Sequence, residues 1–291
     1  AATIAALVAA SDAVPVGAAD AVPLLFFDWA ASTVSHDVAL ELEVSPPVKG
    51  DRVVAPTQPW ETWAVFGYNS VVQVGPGEYR MYYDCIEGSG VPPGDAVGGD
   101  FSISNRRICL ATSTDGLAWD KPSLGVFNRN GSTDNNIVLE DSGVSVFLDG
   151  NPAAPANERW KMACSKAVYG SPDGIAWHPL SNHTPVVAED DTKPTAKWDP
   201  HLGKYVVYVR RDVKQPLHPA DVRAIGRCET ADFTNWESEA PGGCPVVFEP
   251  DALDPDGLDV YTNAWTPYPS VGTAAAHLFF PSFYHHFSGG S

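Results

Sequence analysis

Short runs of β-branched and aromatic residues, each cut off by Gly, Pro, Asn or Asp, recur along the chain. They include "YNSVVQV" (68–74), "EYRMYYDCI" (78–86), "RRICLATS" (106–113), "VSVFLD" (144–149), "RWKMACS" (159–165), "KYVVYVRRD" (204–212) and "AHLFFPSFYHH" (276–286). Runs of this length and composition predict strands. No long stretch places apolar residues at i, i+3, i+4 and i+7, so helices are not expected. The pattern predicts an all-β protein.

The runs also repeat. "STDGLAW" (113–119) returns as "SPDGIAW" (171–177) and, more loosely, as "TADFTNW" (230–236). Trp119, Trp177 and Trp236 are therefore 58 and 59 residues apart. Each phrase comes after three strand-like runs. Repeats of four short strands in this size range predict a β-propeller. Asp-Gly predicts a type I′ turn, in which both central residues need positive φ. The Trp is expected to fill space between adjacent sheets. A fourth unit begins at "LDVYTNAWTPYP" (258–269) and runs into "AHLFFPSF". Residues 24–43 supply more strand material, which either completes the ring or leaves the last blade incomplete at the C-terminal end. The division expected is an N-terminal arm, 1–23, and a propeller domain, 24–291.

Charge narrows the partners. The 291 residues include 36 acidic and 18 basic ones, for a net charge of −18. Such a chain repels nucleic-acid phosphates and anionic lipid surfaces, whereas a neutral sugar fits it. Nucleic acid is not expected as a partner. No apolar run reaches the length of a membrane span. The five cysteines include no CxxC, which argues against zinc. Cys228 with Cys244 and Cys85 with Cys109 are candidate pairs, between which spacing does not decide. The odd count leaves a thiol free or joined to a partner chain. Asn130 and Asn182 head N-x-S/T sequons in turn-like stretches, the pattern of a glycoprotein. The Ala/Val-rich opening lacks a basic start and is not an intact signal peptide, though it suits a segment lying just after one. A secreted, extracellular or cell-surface location is expected.

Taken together, "LFFDWAAS" (25–32), "YRMYYDC" (79–85), "RRICLATSTDGLAWDKPSLG" (106–125), "GSTDNNIVL" (131–139), "WDPHLGKYVVYVRRD" (198–212), "GRCETADFTNW" (226–236) and "DVYTNAWTPYP" (259–269) carry a family likeness. The chain resembles the five-bladed β-propeller glycosidases, in particular a branch similar to the N-terminal domain of glycoside hydrolase family 32. The resemblance spans roughly residues 24–287. It implies five four-stranded antiparallel blades and a sugar bound in a funnel at one end of the central channel. It also implies three acidic residues from successive blades as base or nucleophile, stabiliser and acid. The family 32 fructosidases carry a Trp-Met-Asn-Asp-Pro-type motif, an Arg-Asp-Pro and a Glu-Cys. Here "FFDW" stands for the first, "WDP" (198–200) lacks the Arg, and "RCET" (227–230) puts Cys before Glu. Fructosidase activity is therefore not implied.

Glycoside hydrolysis needs two carboxyl groups, one protonated and one ionised. Acids stand near the start of each inner strand: Glu61, Asp141, Asp191 and Asp259, with Asp28 ahead of the first repeat. The candidate catalytic set is Asp28 or Glu61 as base or nucleophile, Asp191 as stabiliser, and Asp259 or Glu229 as acid. Asp141 is a candidate substrate contact. Each acid has a competing role as turn cap or solvated loop charge. The loop "DALDPDGLDVYTN" (251–263) could instead hold Ca²⁺ through oxygen ligands; no other cofactor is expected. Lys166, Arg107 and Arg210 are candidate substrate contacts that would otherwise pair with the surplus acid. Trp63, Tyr68, Tyr261 and Trp265 offer aromatic faces to sugar or to the core. Two functions fit these residues: a secreted glycosidase-like propeller that binds and cleaves a carbohydrate, or a non-catalytic extracellular binding or assembly module. The second would engage a partner chain through an open sheet edge.

Overall fold

The computed structural model describes residues 48, 50–90, 101–180, 193–214, 222–236, 243–255, 257–268 and 276–285. They form antiparallel meanders. The first comprises β1 (Ala64–Gly75), β2 (Glu78–Gly90), β3 (Phe101–Ser113) and β4 (Ile137–Leu139). The second comprises β5 (Ser145–Leu148), β6 (Trp160–Ala163), β7 (Val168–Ser171) and β8 (His178–Pro179). The third comprises β9 (Thr195–Asp199), β10 (Lys204–Val213), β11 (Val222–Thr230) and β12 (Val246–Phe248). The fourth is a pair, β13 (Leu258–Tyr268) and β14 (Ala276–His285). The chain is all-β with four-stranded antiparallel sheets, as its short, bounded β-branched and aromatic runs predict. The expected arm and residues 24–43 lie outside the described residues.

The first strands neighbour one another in order, β1 to β5 to β9 to β13. A side-chain hydroxyl makes each join. Ser70 Oγ donates to the Val144 carbonyl and accepts from the Val146 amide, both at 3.1 Å. Ser145 Oγ repeats this on Ala196, accepting from its amide at 3.0 Å. Thr195 Oγ1 donates to the Asn263 carbonyl at 2.8 Å. The hydroxyls bond backbone groups of the next inner strand, at the seams between sheets. Asp199 and His277, 2.6 Å apart, add a tie between the third and fourth sheets.

Each seam is filled by a separate apolar cluster. Tyr82, Ile108 and Leu110 of the first sheet meet Val146, Trp160 and Met162 of the second. Phe147 and Val168 of the second meet Tyr205, Val207 and Phe233. Two of the repeated Trp sit at these seams, while Trp119 packs in a cluster of the first meander's own residues with Trp60, Met81 and Ile137. Trp177 lies edge-on to Tyr82 at 6.0 Å, and Trp236 packs on Phe233 at 5.7 Å, which in turn packs on Phe147. The phrase around it is a structural unit.

The Asp-Gly turn is not type I′. Gly116 and Gly174 have φ of 76° and 75°, while neither Asp115 nor Asp173 has positive φ. The turn is built by side chains instead. Ser113 Oγ accepts from the Asp115 and Gly116 amides, and Asp115 Oδ1 accepts from Leu117 and Ala118. Ser171 and Asp173 reproduce every one of these bonds. Thr230 and Asp232 keep part of the set without a glycine. Side-chain acceptors thus replace the backbone geometry that the dipeptide suggested. Paired positive φ occurs at Asn130-Gly131, 51° and 86°, closing the Arg129–Ser132 hairpin.

Both candidate disulfides are present, Cys85–Cys109 between β2 and β3 and Cys228–Cys244. Cys164 is reduced and 1% exposed, so it cannot meet a partner chain without opening the core. Among the described residues no helix is long and apolar enough to cross a membrane.

Candidate functional site

Irregularities in the inner strands mark where side chains leave the ladder. The β1–β2 register breaks between Phe66 and Asn69, and the β13–β14 register breaks between Val260 and Thr262. Such bulges re-aim a side chain. The residues at the breaks, Tyr68 and Tyr261, meet through their hydroxyls at 2.7 Å. They join the first and fourth sheets. Tyr261 also carries the Arg223 guanidinium over its ring at 4.8 Å.

A charged cluster lies at the same end of the sheets. Asp84, on β2, is fully buried and accepts the Gly143 amide with both oxygens, at 3.1 and 3.2 Å. Asp141, just before β5, is fully buried too. It accepts from the Ser142 amide at 2.8 Å, the Lys166 amide at 3.3 Å and the Tyr169 hydroxyl at 2.8 Å. Lys193, just before β9, donates to the Asn69 carbonyl on β1. It thereby links the third sheet to the first.

Burial dominates the titration of this cluster. It pushes Asp84 from 3.8 up to about 7, against the Gly143 amide and the charge of Arg106, with Asp141 adding to the rise. It pushes Asp141 up as well, offset by its donors. It lowers Lys193 from 10.5 to about 8, with Asp84 opposing and Lys197 assisting. Lys197 is lowered by burial. Paired carboxyls, one titrating near neutrality and one held by three donors, are what acid–base chemistry uses.

The residues expected from sequence are scattered among several surroundings. Asp141, Tyr68 and Tyr261 belong to this end of the sheets. Asp259 is 2% exposed and tied to β11, accepting the Arg223 amide at 3.0 Å and facing its guanidinium at 3.3 Å. Glu61 is fully buried and committed within the first meander's own surroundings. It accepts Tyr83 Oη at 2.7 Å, Lys121 Nζ at 2.6 Å and the amides of Thr57 and Gln58. Its partners all belong to the first meander and the segments flanking it. Burial raises the Glu229 carboxyl, but Arg227 at 2.6 Å and Lys204 at 3.4 Å outweigh it and hold it below its usual range. A carboxyl held ionised in this way does not suit a proton donor. Arg107 pairs with Glu87 at 2.8 Å, and Arg210 with Asp212 at 2.9 Å. Trp63 and Trp265 are buried, Trp265 donating to the Thr195 carbonyl at 2.8 Å. Lys166 is exposed. Asn130 is exposed in its hairpin, while Asp28, Asp191 and Asn182 lie outside the described residues. Within the acidic loop, Asp251 and Asp254 accept from the loop's own amides. Among the described residues no three metal-binding side chains converge.

Asp84 and Lys193 were not singled out in the sequence. For Asp84 a signal existed. It falls between Tyr82 and Ile86 on one face of β2, and a charge between two large apolar neighbours marks a candidate buried polar group. Lys193, in a loop next to Asp190 and Asp191, reads as a solvated charge.

No family model matches the chain, and no curated protein sequence matches it. Among solved structures it is similar to an α-L-arabinanase from Cellvibrio cellulosa. Identity is 10%, coverage is 80% of this chain and 78% of that one, and the TM-score is 0.47. It is similar to a glycoside hydrolase at 18% identity, covering 78% and 72%, with a TM-score of 0.46. A glycosyl hydrolase from Bacteroides ovatus aligns at 16% identity over 80% and 91%, with a TM-score of 0.32. These likenesses are partial, and the chemistry of this chain rests on its own residues.

Proposed function

We propose that the protein is a secreted, carbohydrate-active five-bladed propeller that cleaves a glycosidic bond at the end of the sheets where the inner strands begin. The observation carrying this reading is the buried Asp84–Asp141 pair, one member of which titrates near neutrality. Asp84, half protonated near pH 7, would donate a proton to the departing sugar oxygen. Asp141, fixed by three donors, would serve as base or nucleophile, with Asp28 and Asp191 as further candidates for the ionised partner. Tyr68 and Tyr261 would present aromatic faces to the sugar. The two disulfides support maturation in an oxidising compartment.

The test is turnover on aryl glycosides and a glycan panel by wild type, Asp84→Asn and Asp141→Asn. Loss of a general acid lowers the rate by roughly 100- to 10,000-fold. Equal rates in wild type and both variants, or no turnover by wild type, would refute hydrolysis.

The second reading is a non-catalytic binding module. On its side, Asp84, Asp141 and Asp259 are all closed to solvent, and each holds backbone amides. Phe248 and Phe283 are meanwhile 40% and 51% exposed and could meet a partner. Sugar binding without turnover would favour this reading.

A further inference from the structure

We propose that Tyr284, Arg223 and Tyr261 form a binding subsite for a neutral pyranose unit, which stacks on the exposed Tyr284 ring and accepts hydrogen bonds from the Arg223 guanidinium through neighbouring hydroxyls. The inference rests on the sugar-binding reading above and assigns that sugar its chemical class.

Three sheets supply the cluster. Tyr261, on β13, meets Tyr68 of β1 through the hydroxyls at 2.7 Å. Tyr284, on β14, stands opposite Asp259 in the β13–β14 ladder, and its ring lies 5.7 Å from the Tyr261 ring at 37°. Arg223, on β11, packs against both rings. Its guanidinium is 4.8 Å from the Tyr261 centroid and 5.7 Å from that of Tyr284. Attraction of the cation to the two rings holds it in place. Asp259 holds it again: Oδ2 lies 3.3 Å from Nη1, and Oδ1 accepts the Arg223 amide at 3.0 Å. The carboxylate is underneath, because Asp259 is 2% exposed while the Arg223 side chain is 27% and Tyr284 48% exposed.

The other exposed aromatic group supplies the contrast. Phe248 lies 5.8 Å from Phe279 and 6.5 Å from Phe283, and this group is wholly hydrocarbon. Such a surface suits a protein partner. A ring beside a fixed guanidinium suits instead a small ligand with an apolar face and a polar edge. A pyranose has both, C–H bonds on its faces and hydroxyls around its rim. The Asp259 contact engages Nη1, and the guanidinium carries further N–H donors on Nε and Nη2 for two adjacent hydroxyls. A fork held in advance loses little freedom when it binds. Charge selects within the class. Asp259 already neutralises Arg223, and the net charge of −18 opposes anions, so the sugar taken is neutral rather than a uronate.

The experiment measures binding by calorimetry at neutral pH, with cellotetraose, mannotetraose and tetragalacturonate as probes. Expected is that a neutral tetrasaccharide binds wild type and that tetragalacturonate binds more weakly. Tyr284→Ala should weaken the neutral ligand by roughly 10-fold, and Tyr284→Phe, which keeps the ring, should restore most of it. Arg223→Lys keeps a charge beside Asp259 but loses the fork, and should also weaken binding by roughly 10-fold. Neither neutral probe binding, tetragalacturonate binding more tightly than both, or Tyr284→Ala binding as tightly as wild type would overturn the proposal. Should Arg223→Lys fail to fold, the Tyr284 variants decide, since that side chain is half exposed. Binding is read without turnover. Binding that depends on Tyr284 without any cleavage would defeat hydrolysis and leave this subsite standing. Cleavage of aryl glycosides alongside unchanged binding in Tyr284→Ala would do the reverse.

Discussion

Replacing Asp84 by Asn should stabilise the protein at neutral and alkaline pH. The Asp84 carboxyl titrates at 3.8 when unperturbed and at about 7 in the fold. Folding therefore disfavours its ionised form. Linkage sets the sign: between those values the unfolded chain has lost the proton and the folded one retains it. Stability that is fully present below 3.8 is lost as pH rises through about 7. At about 1.4 kcal/mol for each pH unit, the loss is roughly 4 kcal/mol once both states are ionised. Asn cannot ionise, and its carbonyl oxygen still accepts the Gly143 amide. Urea unfolding of wild type and Asp84→Asn should be measured from about pH 5 to about pH 8. The advantage of the variant should grow with pH and level off above about pH 7. A difference that stays flat with pH would refute the assignment of a buried, neutral-range carboxyl. With it would go the acid role that rests on Asp84.

Two further outcomes test the packing. Gly116→Ala and Gly174→Ala impose the same backbone strain, φ 76° and 75°, in copies of one turn. A Cβ at Gly116 meets nothing, whereas one at Gly174 would lie 2.6 Å from the Tyr82 hydroxyl and 2.9 Å from Trp160. Thermal melts should show about 1 kcal/mol lost at Gly116 and about 2 kcal/mol or more at Gly174, and equal losses would deny the seam its tight fit. Replacing Cys228 and Cys244 by Ala opens a loop of 16 residues in sequence separation, and denaturant unfolding should register a loss of about 3 kcal/mol.

The strand positions were legible in the sequence because short β-branched and aromatic runs ended by Gly, Pro, Asn or Asp mark strands even where both faces are buried. Strand β10, Lys204–Val213, falls within one residue of the run that predicted it. The Trp spacing likewise located the third connection of the first three meanders. The Asp-Gly turns were located correctly and typed incorrectly. The dipeptide favours one geometry, but a serine two residues earlier supplies acceptors that favour another. The tyrosines at 68 and 261 were visible as aromatics near strand starts, yet their meeting depends on bulges in two strands far apart in the chain. The acids were the least legible. A carboxylate in sequence carries no mark of its surroundings, so Glu61, Asp141 and Asp259 looked alike. Sequence by itself determined that this chain is a series of similar meanders with a repeated Trp after the third strand of the first three, because short bounded runs and turn chemistry act over a few residues. Tertiary structure alone decided which charges are buried and which are paired, and that Asp84 holds the Gly143 amide and Lys193 the Asn69 carbonyl. Burial and pairing are set by neighbours that belong to other sheets.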